Sequence, residues 1–137
     1  EGIDSSQHNR ALEFITCAID NTVNDIDGQW LLSTEHQRSV AEYALLTTVA
    51  GQVHRRVIDR SFIDSSGIRW VVDYKTAEAN QGESKQAFID REVTHYRGQL
   101  MRYKWYLTLL AGNETETPSI KTGLYFTSLG HWQVLDE

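Results

Sequence analysis

Residues Val57 to Thr76 read VIDRSFIDSSGIRWVVDYKT, and this stretch decides the fold. Two runs rich in β-branched and aromatic residues flank Asp64-Ser65-Ser66-Gly67, a cluster of turn formers. That pattern predicts an antiparallel hairpin. A three-residue loop Ser65-Ser66-Gly67 puts glycine where a left-handed backbone is wanted, so Asp64 pairs with Ile68. Counting back from that pair sets Asp59 opposite Asp73 and Val57 opposite Lys75. Directly opposite residues share a face of the sheet, as do positions i and i+2 of one strand. Asp59, Asp73 and Lys75 therefore converge on one patch. The other face carries Ile58, Phe62, Ile68, Trp70, Val72 and Tyr74, a core face interrupted only by Arg60. A slip of one residue would bury the acids and expose Trp70, so the register is strongly specified.

Upstream, Asn9 to Val23 reads as an amphipathic helix, with Leu12, Ile15, Ile19 and Val23 at helical spacing. Asp25 to Gly28 reads as a turn, and Trp30-Leu31-Leu32 as a short apolar anchor. Val40 to Ala50 is a first strand of high β-propensity, Ala50-Gly51-Gln52 turns the chain, and Val53 to Asp64 is the second strand. A two-residue loop Gly51-Gln52 pairs Ala50 with Val53 and sets Glu42 across from Ser61, on the face of Asp59. Ile68 to Thr76 is the third strand. Downstream, Ala77 to Lys85 is a polar loop, and Gln86 to Leu110 is helical with a break expected near Val93-Thr94. Ala111 to Ser119 is a loop holding the lone Pro118, and Ile120 to Thr127 is a fourth strand. Helix, three strands, helix, strand is an α/β layout with a meander at its centre.

The chain has 137 residues, 40% apolar and 23% charged, which suits one folded domain with a core of its own. Residues 1–8 are a polar lead-in and residues 9–137 the domain. No apolar run reaches the ~18 residues that cross a bilayer, so no membrane association is expected. The chain starts at Glu1 with no visible signal peptide, and it is expected to be part of a longer protein. One cysteine, Cys17, excludes an internal disulfide framework and any zinc or cluster site built on several cysteines. It reads as a buried structural thiol in a reducing, cytoplasmic protein. A net charge of -6 argues against a generic nucleic-acid binder and fits a domain that concentrates carboxylates for divalent cations.

Two aspartates placed directly opposite each other repel. Asp73 and Lys75 are either an ordinary surface ion pair or part of a site in which a divalent cation takes oxygens from both acids. In the second reading Mg²⁺ binds Asp59 and Asp73, with the backbone carbonyl of Tyr74 as a further ligand and Glu42 as a candidate third carboxylate. Lys75 orients water or neutralises developing charge. Such a set suits metal-assisted phosphodiester hydrolysis. On the second helix Tyr96, Gln99, Tyr103, Leu107 and Leu110 share a face. Gln99 is polar on an otherwise apolar stripe, and either satisfies backbone groups or reaches the site. Arg55, Arg56, Arg97, Arg102 and Lys104 are candidates for contacts to a nucleic-acid backbone, with surface solubility as the alternative for each. His54 is read the same way, while His8, His36, His95 and His131 are not read as ligands.

The segment RRVIDRSFIDSSGIRWVVDYKT followed by YRGQLMRY resembles the RecB-like (AddA-like) nuclease domain of the PD-(D/E)xK superfamily, usually found at the C-terminal end of a UvrD-type helicase. The resemblance runs roughly from Trp30 to the end. GQWLLS, AEYAL and LYFTSLGHW look like the variant found in proteobacterial helicase-nuclease proteins. Ile-Asp-Arg, Asp-Tyr-Lys and Gln-x-x-x-Tyr in that order form the specific combination. It implies a restriction-endonuclease-like α/β core, a central mixed sheet flanked by helices. It implies that Asp59 and Asp73 hold metal, that Lys75 is the catalytic lysine, that Gln99 and Tyr103 serve DNA binding and site geometry, and that Glu42 matches the acid on the first core strand. The implied activity is that of an exonuclease V-like deoxyribonuclease, Mg²⁺-dependent with Mn²⁺ able to substitute, in double-strand-break repair and recombination. The implied partners are DNA, a UvrD-type helicase region of the same polypeptide, and a second helicase-nuclease subunit. Family members also carry a Gly-x-x-x-His helix well before the first strand, which is expected to precede this chain. The alternatives are a nuclease fold kept as a DNA- or protein-binding module, and another PD-(D/E)xK endonuclease.

Overall fold

A computed structural model describes residues 4–112 and 118–135 of the chain. Helices α1 (Ser5–Asn24) and α2 (Ile26–Leu32) precede a long hairpin of β1 (Gln37–Val49) and β2 (Gln52–Ile63). Strand β3 (Arg69–Lys75), helix α3 (Lys85–Ala111), β4 (Ile120–Phe126) and β5 (His131–Val134) follow. The five strands form one mixed sheet in the order β1-β2-β3-β4-β5. Only β3 and β4 are parallel, and α3 supplies the crossover that a parallel pair needs. Among the described residues no helix is long and apolar enough to cross a membrane.

The sheet is covered on both sides where β3 and β4 run. Phe88, Ile89, Leu100, Tyr103 and Leu107 of α3 pack on one face with Val71, Leu124 and Phe126. Leu31 of α2 packs on the other with Phe62, Trp70, Val72 and Tyr125. The valine pair of β3 follows from this, since a strand buried on both faces needs apolar residues at successive positions.

The segment from Asp25 to Gly28 is the start of α2, not a free turn. Asp25 keeps an extended backbone and its side chain accepts the Gly28 N–H at 2.9 Å, the arrangement of an N-cap. Gly28 serves close approach: a Cβ there would stand 2.0 Å from the Thr22 carbonyl oxygen. Helix α3 runs unbroken through Val93 and Thr94. Thr94 Oγ1 donates back to the Asp90 carbonyl at 2.8 Å, Val93 packs against the core, and β-branched residues cost a helix only tenths of a kcal/mol. The helix starts at Ser84, whose Oγ accepts from the Ala87 N–H. Arg91 clamps both oxygens of Glu83 at 2.9 and 3.0 Å, fixing the loop before α3 to its second turn.

The β2–β3 register is the one the sequence predicts, with Phe62 opposite Trp70 and Ile63 opposite Arg69. The β1–β2 register differs. Val49 pairs with Gln52, so the turn is Ala50-Gly51, both left-handed at φ 51° and 78°. Ser61 pairs with Val40. Glu42 lies between the pairs Ala41–Arg60 and Tyr43–Ile58, which sets it across from Asp59 rather than Ser61. Its own backbone is left-handed at φ 50° and its side chain is exposed. The alternation expected along β2 also breaks here. Ile58 packs with the α3-side cluster while Phe62 belongs to the opposite one.

Cys17 is exposed, not buried. Helix α1 buries only Ala18 and Thr22, and at 3.6 residues per turn Cys17 points about 100° away from Ala18 and about 140° away from Thr22.

Candidate active site

Asp73 lies on the α3 side of β3, two residues beyond fully buried Val71, and is itself 7% exposed. Burial, with Asp59 as hydrogen-bond partner, pushes its carboxyl up to about 6, and Lys75 acts in the opposite direction. The β2–β3 ladder ends at Arg60 and Val72. Just beyond, Asp59 Oδ2 accepts the Tyr74 N–H at 2.9 Å, so a carboxylate takes the place of a ladder carbonyl. Asp59 is thereby fastened to the β3 backbone beside Asp73.

Lys75 Nζ stands 2.5 Å from Asp73 Oδ2. No hydrogen bond of ordinary geometry reaches that buried oxygen, so the contact is an ion pair. The ammonium also lies over the Tyr96 ring, 3.2 Å from its centroid. The Lys75 carbonyl accepts from the backbone N–H and Oγ1 of Thr127, which ties the end of β3 to the end of β4. The Tyr74 ring lies on the other face of the sheet, against the α2-side cluster. Burial raises the pKa of its phenol, which has no hydrogen-bond partner. An extended residue directs its N–H and C=O to the same edge, so the Tyr74 carbonyl faces the side from which Asp59 approaches.

On α3, Gln99 Nε2 donates to the Tyr103 hydroxyl at 3.0 Å. Arg56, Gln99, Arg102, Tyr103 and Tyr106 line a cleft of about 250 Å³ between β2 and this helix. The structure thus brings together Gln99, Tyr103, Arg56 and Arg102, and neither arginine is ion-paired among the described residues. It does not bring Arg55 or Arg97 to them. Arg55 is paired with Leu46 and Arg56 with Leu45, so the two arginines sit on opposite faces of β2. Arg97 Nη1 donates to the Leu135 carbonyl at 3.4 Å.

Asp59 and Asp73 are a pair: among the described residues no group of three His, Cys, Asp or Glu side chains could hold a metal ion. Glu42 does not complete such a group. Two carboxylates, one with a buried oxygen lacking a hydrogen bond, nonetheless fit Mg²⁺, which keeps several waters and takes few protein ligands. His36 is half-buried, stacked on Phe62 at 3.9 Å with Nε2 2.6 Å from the Trp30 carbonyl oxygen.

Three residues of α3 escape a reading by residue type. Tyr96 and Tyr106 look like core aromatics. Glu92, 6% exposed and paired with Arg91, looks like a surface acid. The available signal is spacing: Glu92, Tyr96, Gln99, Tyr103 and Tyr106 recur at steps of three and four, one face of a helix. No protein-family model matches the chain, and no curated protein shows a significant match to it.

Proposed function

We propose that this chain is the nuclease domain of a cytoplasmic Mg²⁺-dependent DNA exonuclease of the RecB-like kind, with a restriction-endonuclease-like core. In this reading it acts in double-strand-break repair and recombination. It is carried on the same polypeptide as a UvrD-type helicase region and works with a second helicase-nuclease subunit. One observation carries the reading: Asp73 is buried with Asp59 beside it and Lys75 upon it. Lys75 balances only one of the two carboxylates in this largely dry place, and a divalent cation shared by both would offset the rest.

Asp59 and Asp73 would hold Mg²⁺ or Mn²⁺, with the Tyr74 carbonyl at the same edge. The metal, when bound, lowers the pKa of water and offsets charge on the phosphate. Lys75 orients the attacking water and neutralises charge that develops on the phosphate oxygens. Gln99 and Tyr103 receive the DNA next to the cleaved bond, and Arg56 and Arg102 hold its phosphates. A second reading, a nuclease fold that binds DNA without cutting it, is favoured by the lack of a third acidic group among the described residues.

End-labelled single- and double-stranded DNA, incubated with the protein in Mg²⁺, Mn²⁺ or EDTA, separates the two. Metal-dependent cleavage is expected, and Lys75→Ala should reduce it by about 10²–10³-fold. Binding without cleavage supports the second reading. Neither binding nor cleavage overturns both.

A further inference from the structure

Lys75 is held from two sides, by Asp73 Oδ2 at 2.5 Å and by the Tyr96 ring with its centroid at 3.2 Å. Its side chain is only 13% exposed. These two contacts differ in what happens when the site is used. A divalent cation held by Asp73 would draw on the carboxylate that Lys75 pairs with. The aromatic face does not take part in that competition. It attracts the ammonium through its quadrupole and, being neutral, leaves the full positive charge available to a phosphate.

Tyr96 is well placed to act as a fixed support. It is half-buried and packs against the core cluster that α3 makes with the sheet. Its ring meets the His95 ring edge-on at 4.6 Å. Gln99 lies three residues further along α3, on the same face of the helix. One rigid helix therefore carries both the lysine's support and the cleft of Gln99, Arg102, Tyr103 and Tyr106.

We propose that Tyr96 is a positioning residue: its aromatic face holds the Lys75 ammonium at the scissile phosphate after the metal has taken Asp73. This rests on the nuclease reading above. The ring, not the hydroxyl, is the working part. Lysine is a point charge on a flexible stem of four carbons, so an aliphatic side chain in place of the ring would leave it free to swing.

The test compares wild type with Tyr96→Phe, Tyr96→Leu and Tyr96→Met in steady-state cleavage of a labelled oligonucleotide with Mg²⁺. Each variant is first shown to melt cooperatively. Methionine is included because it fills irregular gaps, in case leucine does not fold. The phenylalanine variant should keep kcat within about twofold, and the aliphatic variants should lose kcat by about tenfold or more with KM little changed. A second readout needs no metal or DNA. In protein with ¹³C-labelled lysine, the ε-methylene resonance of Lys75, assigned through Lys75→Arg, should be shifted upfield by the ring. That shift should persist in Tyr96→Phe and vanish in Tyr96→Leu.

Wild-type kcat in the aliphatic variants overturns the proposal. So does a phenylalanine variant as slow as leucine, which would make the hydroxyl the working part. A rise in KM alone would make Tyr96 a DNA contact instead. An unshifted Lys75 resonance overturns the contact itself. A wild-type protein that cuts no DNA overturns the nuclease reading and the positioning role together, while the resonance still decides whether the ring holds the lysine.

Discussion

Burying Asp73 beside Asp59 sets a stability cost that depends on pH. Its folded pKa, about 6, lies above the ordinary aspartate value of 3.8, so between those values the native state binds more protons than the unfolded one. Stability from this group is fully present below the unfolded pKa and is lost as pH rises through the folded one. Asp73→Asn removes the cost. In EDTA its melting temperature should match wild type near pH 4 and exceed it above pH 7, by about 1–3 kcal/mol of stability for a shift of this size. The lower part of that range is expected, since the variant also loses the ion pair to Lys75. Mg²⁺ should raise the wild-type melting temperature and not that of the variant, because only a ligand of the native state stabilises it. A variant less stable than wild type at neutral pH would contradict the account. At this scale the sequence was informative about chemistry. Asp73 and Lys75 are adjacent through alternation along β3, and one hairpin register carries Asp59 to them, both local. Glu42 was misplaced because Ala50 adopts a left-handed conformation that costs a non-glycine residue ~1–2 kcal/mol. A reading that gives such conformations to glycine turns the chain one residue too late.

Single elements depend on close approaches that residue type alone does not announce. Strand β5 is only four residues long, too short for a period to register. It belongs to the sheet because Trp132 lies across Gly123 of β4, where an added Cβ would fall 2.2 Å from the indole. Trp132 then reaches Trp70 at 5.6 Å and Trp30 at 6.1 Å, extending the α2-side cluster across four strands and a helix. Gly123→Ala should force that indole out of place and cost about 1–3 kcal/mol, read as a lower urea midpoint with an unchanged m-value. Helix α2 was hidden for a related reason. Asp25 and Gly28 are turn residues by type, and only packing makes them a cap and a crossing point. Asp25 also accepts from the Tyr125 hydroxyl at 3.1 Å. Burial and that carboxylate push the Tyr125 phenol up to about 12.

Across the whole molecule the apolar residues divide unevenly. β3 and β4 are enclosed by α2 and α3, but the stripe Leu12, Ile15, Ile19 and Val23 of α1 remains 45–56% exposed. Ile26 and Leu32 are exposed beside it. These residues lend the described fold little burial. Ile15→Glu with Ile19→Glu should leave the melting temperature within about 2 °C of wild type, since exposed substitutions stay near ±0.5 kcal/mol. The pair should also reduce self-association seen by light scattering, because large exposed apolar patches promote it. A fall of many degrees would mean that the stripe supports the core after all.

Short-range periods encode the part of this fold that is legible along the chain. The turn at Ser65-Ser66-Gly67 and alternation along β3 set the β2–β3 register and put Asp73 and Lys75 on one face, with Asp59 brought beside them just past the end of the ladder. A period of 3.6 marked α1 and α3, and chain order placed the α/β meander. Long-range packing sets the rest: Lys75 rests on Tyr96, Arg56 and Arg102 share a cleft with Gln99 and Tyr103, and Arg55 and Arg97 stay outside it. Those outcomes depend on how α3 lies across the sheet, and on where the β2–β3 ladder ends. Both are set by the fit of Phe88, Leu100, Leu107 and Phe126 in a common core. Packing of that kind is a property of side-chain volumes meeting across long separations in the chain, and no local pattern carries it.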